Sequence, residues 1–313
     1  MGGGGGSFFS RSKDEYKKDL DDIKQRTLDA DFEREVDDAL KERLADSNTR
    51  DVDKHNEYLD DIQECIEADN DGIIELKFGG SVKKYTYVDG LSDVDVLVLV
   101  NKSELSDKSP HEILDYIAES LKGKLKNVDN IRVGTLAVTV TYKDGTEIQL
   151  LPALKHGDGY RIPSAKGNDW SQVIRPDKFA SRLTEVNESC SYKVVPTIKL
   201  IKGINRQLPE DQQLSGYHIE SLAIEIFKSY PDDKPAKPKE MIKYFFQMAQ
   251  EKVKQPIKDR TGQSIHVDDY LGRENSPQRL RSSYALSRIS TRLKNADAAR
   301  SVEEWESILG EKQ

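Results

Sequence analysis

The sequence predicts an α+β fold with segregated halves, strands first and a helical bundle after about residue 176. Two observations carry this prediction. Short β-branched and apolar runs bounded by turn residues recur between Ile73 and Leu151. From there on, helical periodicity takes over, and Pro209, Pro231, Pro235, Pro238, Pro256 and Pro277 punctuate the segments between predicted helices. No internal repeat of fixed period is present.

Taken in order, Gly2 to Gly6 form a five-glycine run, expected to be disordered. Residues 11–48 are dense in charge with sparse apolar residues and predict one or two solvated helices. Between Asp51 and Asp69, Tyr58, Leu59, Ile62, Cys65 and Ile66 form an amphipathic helical stripe. The period then changes. Ile73 to Phe78 reads as a strand ended by Gly79-Gly80-Ser81, and Val94 to Val100 as a second, β-branched strand. Ser109, Pro110 and Glu112 have the spacing of a capped helix start, with Ile113, Leu114, Ile117 and Leu121 as its apolar face. Val133 to Tyr142 and Glu147 to Leu151 are expected strands joined by the turn Lys143-Asp144-Gly145-Thr146. Tyr160 to Ile162 is a further short strand. Helices are expected over 176–188, 194–208, 215–229, 238–253 and 277–295.

The chain of 313 residues is 36% hydrophobic and 33% charged, enough for a sizeable core in one large or two intimate domains. No apolar run approaches the roughly 18 residues of a membrane span, and no basic residue precedes Phe8-Phe9 as a secretory signal requires. Cys65 and Cys190 are too few for a disulfide framework, so a reducing, cytoplasmic setting is expected. The net charge of −8 argues against a protein that coats nucleic acid. That total is uneven: residues 11–70 hold 21 acidic and 11 basic residues, a net of −10, which leaves the rest at +2. Asn275 to Ala296 holds Arg279, Arg281, Arg288, Arg292 and Lys294 without an acid and reads as a solvated or helix-packing face.

The chemistry centres on Gly79-Gly80-Ser81 followed, after eleven residues, by Asp93-Val94-Asp95. Glycines ending a strand in a tight turn expose backbone N–H groups and a hydroxyl to a phosphate. Asp93 and Asp95 lie two apart at a strand start, which puts both carboxylates on one face, about 6–7 Å apart along the backbone. Such a pair opposite a phosphate-binding turn can hold two divalent cations, which activate a hydroxyl nucleophile and steady a leaving pyrophosphate. Alone, Asp-x-Asp is common and Gly-Gly-Ser is usually a turn; their order around two strands is the specific signal.

The run Phe78-Gly-Gly-Ser-Val-Lys-Lys-Tyr-Thr-Tyr-Val-Asp-Gly-Leu-Ser-Asp-Val-Asp-Val-Leu-Val98 resembles the polymerase β-like nucleotidyltransferase core of poly(A) polymerases, oligoadenylate synthases and cyclic GMP-AMP synthase-like enzymes. Glu147 to Ala153, Pro196 to Lys202, Leu214 to Glu220, and Lys258 to Gln263 with Val267 to Leu271 are similar to later segments of the bacterial CD-NTases, the cyclic-oligonucleotide synthases of anti-phage (CBASS) defence. The resemblance spans about residues 55–295. It implies that Gly80 and Ser81 contact NTP phosphates, Asp93 and Asp95 ligate Mg²⁺ (or Mn²⁺), Lys202 and Lys199 hold the triphosphate with help from Ser215, and Tyr217 stacks on a base. Lys199 and Lys202 are i, i+3 on a helix, which agrees. Gln149 stands where the family has its third catalytic carboxylate, and Glu147 is a nearby substitute. Arg260 replaces a common proline.

The resemblance implies three units: a charged extension over 1–50, a nucleotidyltransferase core over 51–175 and a helical domain over 176–313 closing the nucleotide cleft. The implied activity joins NTPs into a cyclic di- or trinucleotide second messenger read by a separate effector protein. Two alternatives stand beside it: template-independent transfer to an RNA or protein acceptor, and a nucleotide-binding regulator weakened by Gln149. RNA or another ligand is a candidate activator. Two distant cysteines and scattered His55, His111, His156, His218 and His266 exclude a zinc thumb for DNA.

Overall fold

The computed structural model describes residues 13–48, 52–68, 72–88, 94–164, 168–261 and 265–310. The glycine run at residues 2–6 lies outside them. Helix α1 (Lys13–Asp46) and α2 (Val52–Glu67) precede strand β1 (Gly72–Phe78), the single turn α3 (Gly80–Lys83) and β2 (Val94–Ser103). Helix α4 (Pro110–Leu121) follows, then β3 (Val128–Val133), β4 (Val138–Tyr142), β5 (Glu147–His156) and β6 (Gly159–Arg161). The rest is helical: α5 (Pro176–Ser189), α6 (Val194–Arg206), α7 (Gly216–Phe227), α8 (Pro238–Lys252), α9 (Pro277–Ala299) and α10 (Val302–Leu309).

The strands form one mixed sheet in the order β1-β2-β5-β4-β3, with β6 on β5. β2 and β5 are parallel at its centre, and the other neighbours are antiparallel. Alternation along β2 decides what each face does. Val94, Val96, Val98 and Val100 point to one side and bury against α2 and α4, together with Ile62, Ile66, Ile113 and Ile117. Burial of such side chains contributes about 1.5–3 kcal/mol each. Asp95 and Leu97 point to the other side, toward the helical half. The capping box at Ser109 and Glu112 is present, with Pro110 in the first turn, so the helix start that the spacing predicts is built as expected.

Three expectations need correction. The segment from Val133 to Tyr142 is not one strand: Gly134 N–H donates to Ala137 O at 2.8 Å, a turn that splits β3 from β4. The N-terminal helix is not merely solvated. Phe32, Val36 and Leu40, spaced by four, are buried in the same core as α6, α8 and α10, so by packing α1 belongs to the helical half. The third concerns the C-terminal end, where α10 forms a helix too short for its period to stand out in the sequence; the basic stretch in α9 does pack helices, with Arg279 fully buried and Arg292 paired with Glu304.

Candidate active site

A cleft of about 530 Å³ opens between the free face of the sheet and the helical half. Its floor is Asp95 and Leu97 of β2 with Leu151 of β5. The parallel register sets Asp95 opposite Gln149 and Leu97 opposite Leu151. Gln149 therefore neighbours Asp95 in the ladder, at the level where a third acidic residue is expected. Glu147, two residues earlier, accepts a hydrogen bond from Thr141 Oγ1 at 3.0 Å. Asp93 lies outside the described residues.

One wall is the turn after β1. Gly79 N–H donates to Asp95 O at 2.7 Å, which ties the turn to the strand that carries the carboxylate. Gly80 has φ +44°, and a Cβ there would meet Asp95 Oδ2 at 1.5 Å, so only glycine lets this backbone close on the carboxylate. Gly80 and Ser81 both line the cleft.

The opposite wall comes from α5, α6 and α7. Lys202 reaches the cleft from α6, and its Nζ donates to Glu220 Oε1 at 2.9 Å and to Thr86 O at 2.8 Å. Glu220 also accepts from Lys84 and from Thr86 Oγ1. Burial pushes the Glu220 carboxyl up, but Lys84 and Lys202 outweigh it and hold the group below the usual carboxylate range. Burial lowers Lys202, and Glu220 restores only part of that loss. Tyr217 presents its ring to the cleft beside Phe179, with centroids 4.9 Å apart. Its hydroxyl donates to Asp259 Oδ1 at 2.7 Å, and the same oxygen accepts from Thr261 N and Oγ1, which fixes the ring. Burial raises the Tyr217 phenol, so it stays protonated and donating.

The structure thus brings Gly80, Ser81, Asp95, Lys202 and Tyr217 to one cleft. Lys199 is not among its lining residues; its ammonium bonds Asn48 Oδ1 at the end of α1. Residues three apart on a helix differ by about 60° around the axis, and here that offset separates the cleft from α1. The Ser215 side chain caps α7 by accepting from His218 N at 3.2 Å, while Gly216 lines the cleft. Arg260 pairs with Glu225. Lys84, Glu220, Phe179 and Thr261 are cleft residues that sequence reasoning did not single out. Lys84, Glu220 and Thr261 nonetheless lie within the segments that resemble the family, whereas Phe179 carried no such signal. Among the described residues no group of three or more His, Cys, Asp or Glu is placed to hold a metal ion. Asp95 and its ladder neighbour Gln149 both carry side-chain oxygens, a donor type suited to a hard divalent cation.

Residues 35–187 match the Second Messenger Oligonucleotide or Dinucleotide Synthetase domain. Among solved structures, the chain is similar to the Bradyrhizobium diazoefficiens CD-NTase CdnG, at 13% identity and TM-score 0.64 over 87% of this chain and 95% of that one. It is also similar to the Vibrio cholerae di-nucleotide cyclase DncV, at 12% identity and TM-score 0.61 over 96% and 92%. A third is Escherichia coli CdnC in its HORMA complex, at 14% identity and TM-score 0.64 over 88% and 97%. Among curated protein sequences nothing matches. Residues 35–187, which hold the sheet and its glycine turn, thus form a nucleotidyltransferase domain of the second-messenger synthetase kind, in the fold of the CD-NTase structures.

Proposed function

We propose that the chain joins NTPs into a cyclic di- or trinucleotide second messenger, acting in the cytoplasm in anti-phage signalling, with a separate effector reading the product. The observation that carries this reading is the opposition across one cleft of Asp95, beside a glycine phosphate turn, to Lys202 and the Tyr217 ring. In the reaction, a ribose hydroxyl oxygen of one nucleotide attacks the α-phosphorus of the next. The bond from that phosphorus to the bridging oxygen breaks, pyrophosphate leaves and the hydroxyl proton passes to solvent. A second attack closes the ring. Gly80 and Ser81 hold the phosphates, Lys202 offsets their charge and Tyr217 stacks on a base. Asp93 and Asp95 would hold Mg²⁺ or Mn²⁺, which when bound lowers the pKa of the attacking hydroxyl and offsets charge on the leaving group. The relatives' structures support nucleotides as substrates: CdnG is in complex with GTP and DncV with ATP and GTP.

Gln149 favours a second reading, a nucleotide-binding regulator, because a neutral amide beside Asp95 is a poor base. One experiment separates the two. Labelled NTPs are incubated with the protein and Mg²⁺ or Mn²⁺ and then treated with phosphatase. Phosphatase-resistant small products are expected, and the Asp93→Ala, Asp95→Ala double variant should make none. A product that needs added RNA or a protein acceptor supports acceptor transfer instead. NTP binding without any product sinks the enzymatic reading, and in that case Gln149→Asp should restore turnover if the missing carboxylate is the cause.

A further inference from the structure

We propose that Lys84 is a second phosphate-gripping cation of the cleft, and that Glu220 is the positioning residue that holds Lys84 and Lys202 at its wall. The proposal deepens the reading above and rests on it for the identity of the ligand as a nucleoside triphosphate. Lys84 follows the glycine turn by three residues, at the end of α3, and lines the same cleft as Gly80 and Ser81. Its Nζ lies 4.9 Å from the Phe179 ring centroid and 5.3 Å from that of Tyr217. It therefore stands between the phosphate turn and the aromatic platform, where a nucleotide spanning both would place its phosphates.

Its counter-charge is shared. Lys84 and Lys202 share one carboxylate, Glu220, whose side chain is 1% exposed. The two ammonium groups, 12% and 7% exposed, are more accessible than this counter-charge. Asp95 on the cleft floor is the other carboxylate acting on Lys202; on the wall itself two ammonium groups share one buried carboxylate, in a partly dry setting where an anion's hydrogen bonds are stronger than in water. Glu220 is held in turn by Thr86 Oγ1, and the Thr86 carbonyl accepts from Lys202. One buried carboxylate and one backbone segment therefore fix both lysines. Lys83 makes the contrast: its partner on α5, Asp177, is 53% exposed, so that pair is screened by solvent.

The test is calorimetric titration of the full chain with inorganic tripolyphosphate, ATP and adenosine, with thermal melting alongside. Lys84→Ala should raise the Kd for tripolyphosphate and ATP about ten-fold, the loss of one charge-assisted contact, while leaving adenosine binding unchanged; the melting temperature should fall, because the buried Glu220 carboxylate loses one of its cations. Lys84→Arg should recover most of the affinity. Glu220→Gln should weaken tripolyphosphate at least as much, because both lysines lose their anchor, and again spare adenosine. A Lys84→Ala protein that binds tripolyphosphate within about two-fold of wild type overturns the proposal, as does parallel loss of tripolyphosphate and adenosine binding. If Glu220→Gln does not fold, the Lys84 variants still decide. A wild-type protein that binds tripolyphosphate but makes no product removes the synthetase reading and leaves this one standing; one that binds neither tripolyphosphate nor ATP overturns both.

Discussion

At Gly80 a single missing Cβ decides whether the turn can approach the carboxylate. The φ of +44° and the 1.5 Å clash of an added Cβ with Asp95 Oδ2 leave Ala no strain-free placement. Gly80→Ala is therefore expected to push Asp95 off its position and cut product formation by roughly 100-fold, since misplacing a reacting group by about 1 Å costs that much. The turn is a short surface element, so the melting temperature should fall by only a few degrees. Assaying turnover and melting together checks this; full activity in Gly80→Ala would mean that the close approach is dispensable. The same scale explains why two lysines of one motif have different fates. Lys202 is 7% exposed and faces Glu220, whereas Lys199 turns to Asn48.

Helix α7 is the element that brings the aromatic platform to the cleft, and a buried chain behind it holds its start. Ser215 N–H donates to the Tyr270 hydroxyl at 3.1 Å, and that hydroxyl lies 2.9 Å from His218 Nδ1. His218 Nε2 is 3.4 Å from Asp268 Oδ2, which accepts from Arg279 at 2.7 Å. Arg279 also donates to the carbonyls of Val253, Gln255, Asp268 and Gly272, so this fully buried cation ties the ends of α8 and α9 to α7. Burial, with Arg279 adding to it and Asp268 offsetting part, pushes the His218 imidazole down to about 4. A base with a depressed folded pKa favours the neutral folded form. Its stabilisation is complete above the unfolded value of about 6.5 and is lost as pH falls toward 4. On the order of 3 kcal/mol is involved for a shift of this size. Melting curves of wild type and His218→Gln between pH 7 and pH 4.5 should converge on acidification. Parallel curves would count against a neutral, buried His218.

Among the described residues of the whole molecule, one large core lies between α2, α4 and the far face of the sheet, another among α1 and α5 to α10, and a small third cluster around Leu99, Ala153, Tyr160, Ile162 and Ile174 sits on the cleft side of the sheet. The halves are bridged at the cleft by Lys84 and Lys202 with Glu220, and at its rim by Lys83 with Asp177. A nucleotide seated between them should stabilise both. ATP or GTP with Mg²⁺ at about 100 times Kd should add about 2.7 kcal/mol, a rise of roughly 4 °C in melting temperature for a chain of this size. Adenosine at equal concentration should give less. Absence of any shift with either triphosphate would show that the cleft does not bind them. The acidity of residues 11–70 is placed on α1 and α2, away from the cleft lining, so the net charge of −8 says little about the substrate.

The local elements were legible because period and punctuation are properties of neighbouring residues. The β-branched alternation from Val94, the Ser109 capping box, the Lys143 to Thr146 turn and the five helices after residue 176 all stand where their patterns put them. The turn at Gly134 and the eight-residue α10 were missed because each is shorter than the window in which a period shows. The glycine turn and Asp95, close together in the chain, were legible too, and they line one cleft. What the tertiary structure alone decided is pairing at long range: Glu220 with Lys84 and Lys202, Arg279 with Asp268, and Asp95 beside Gln149. A charged residue reads as solvated until a partner far along the chain is packed against it. That partner is set by how the two cores meet, which no local pattern encodes.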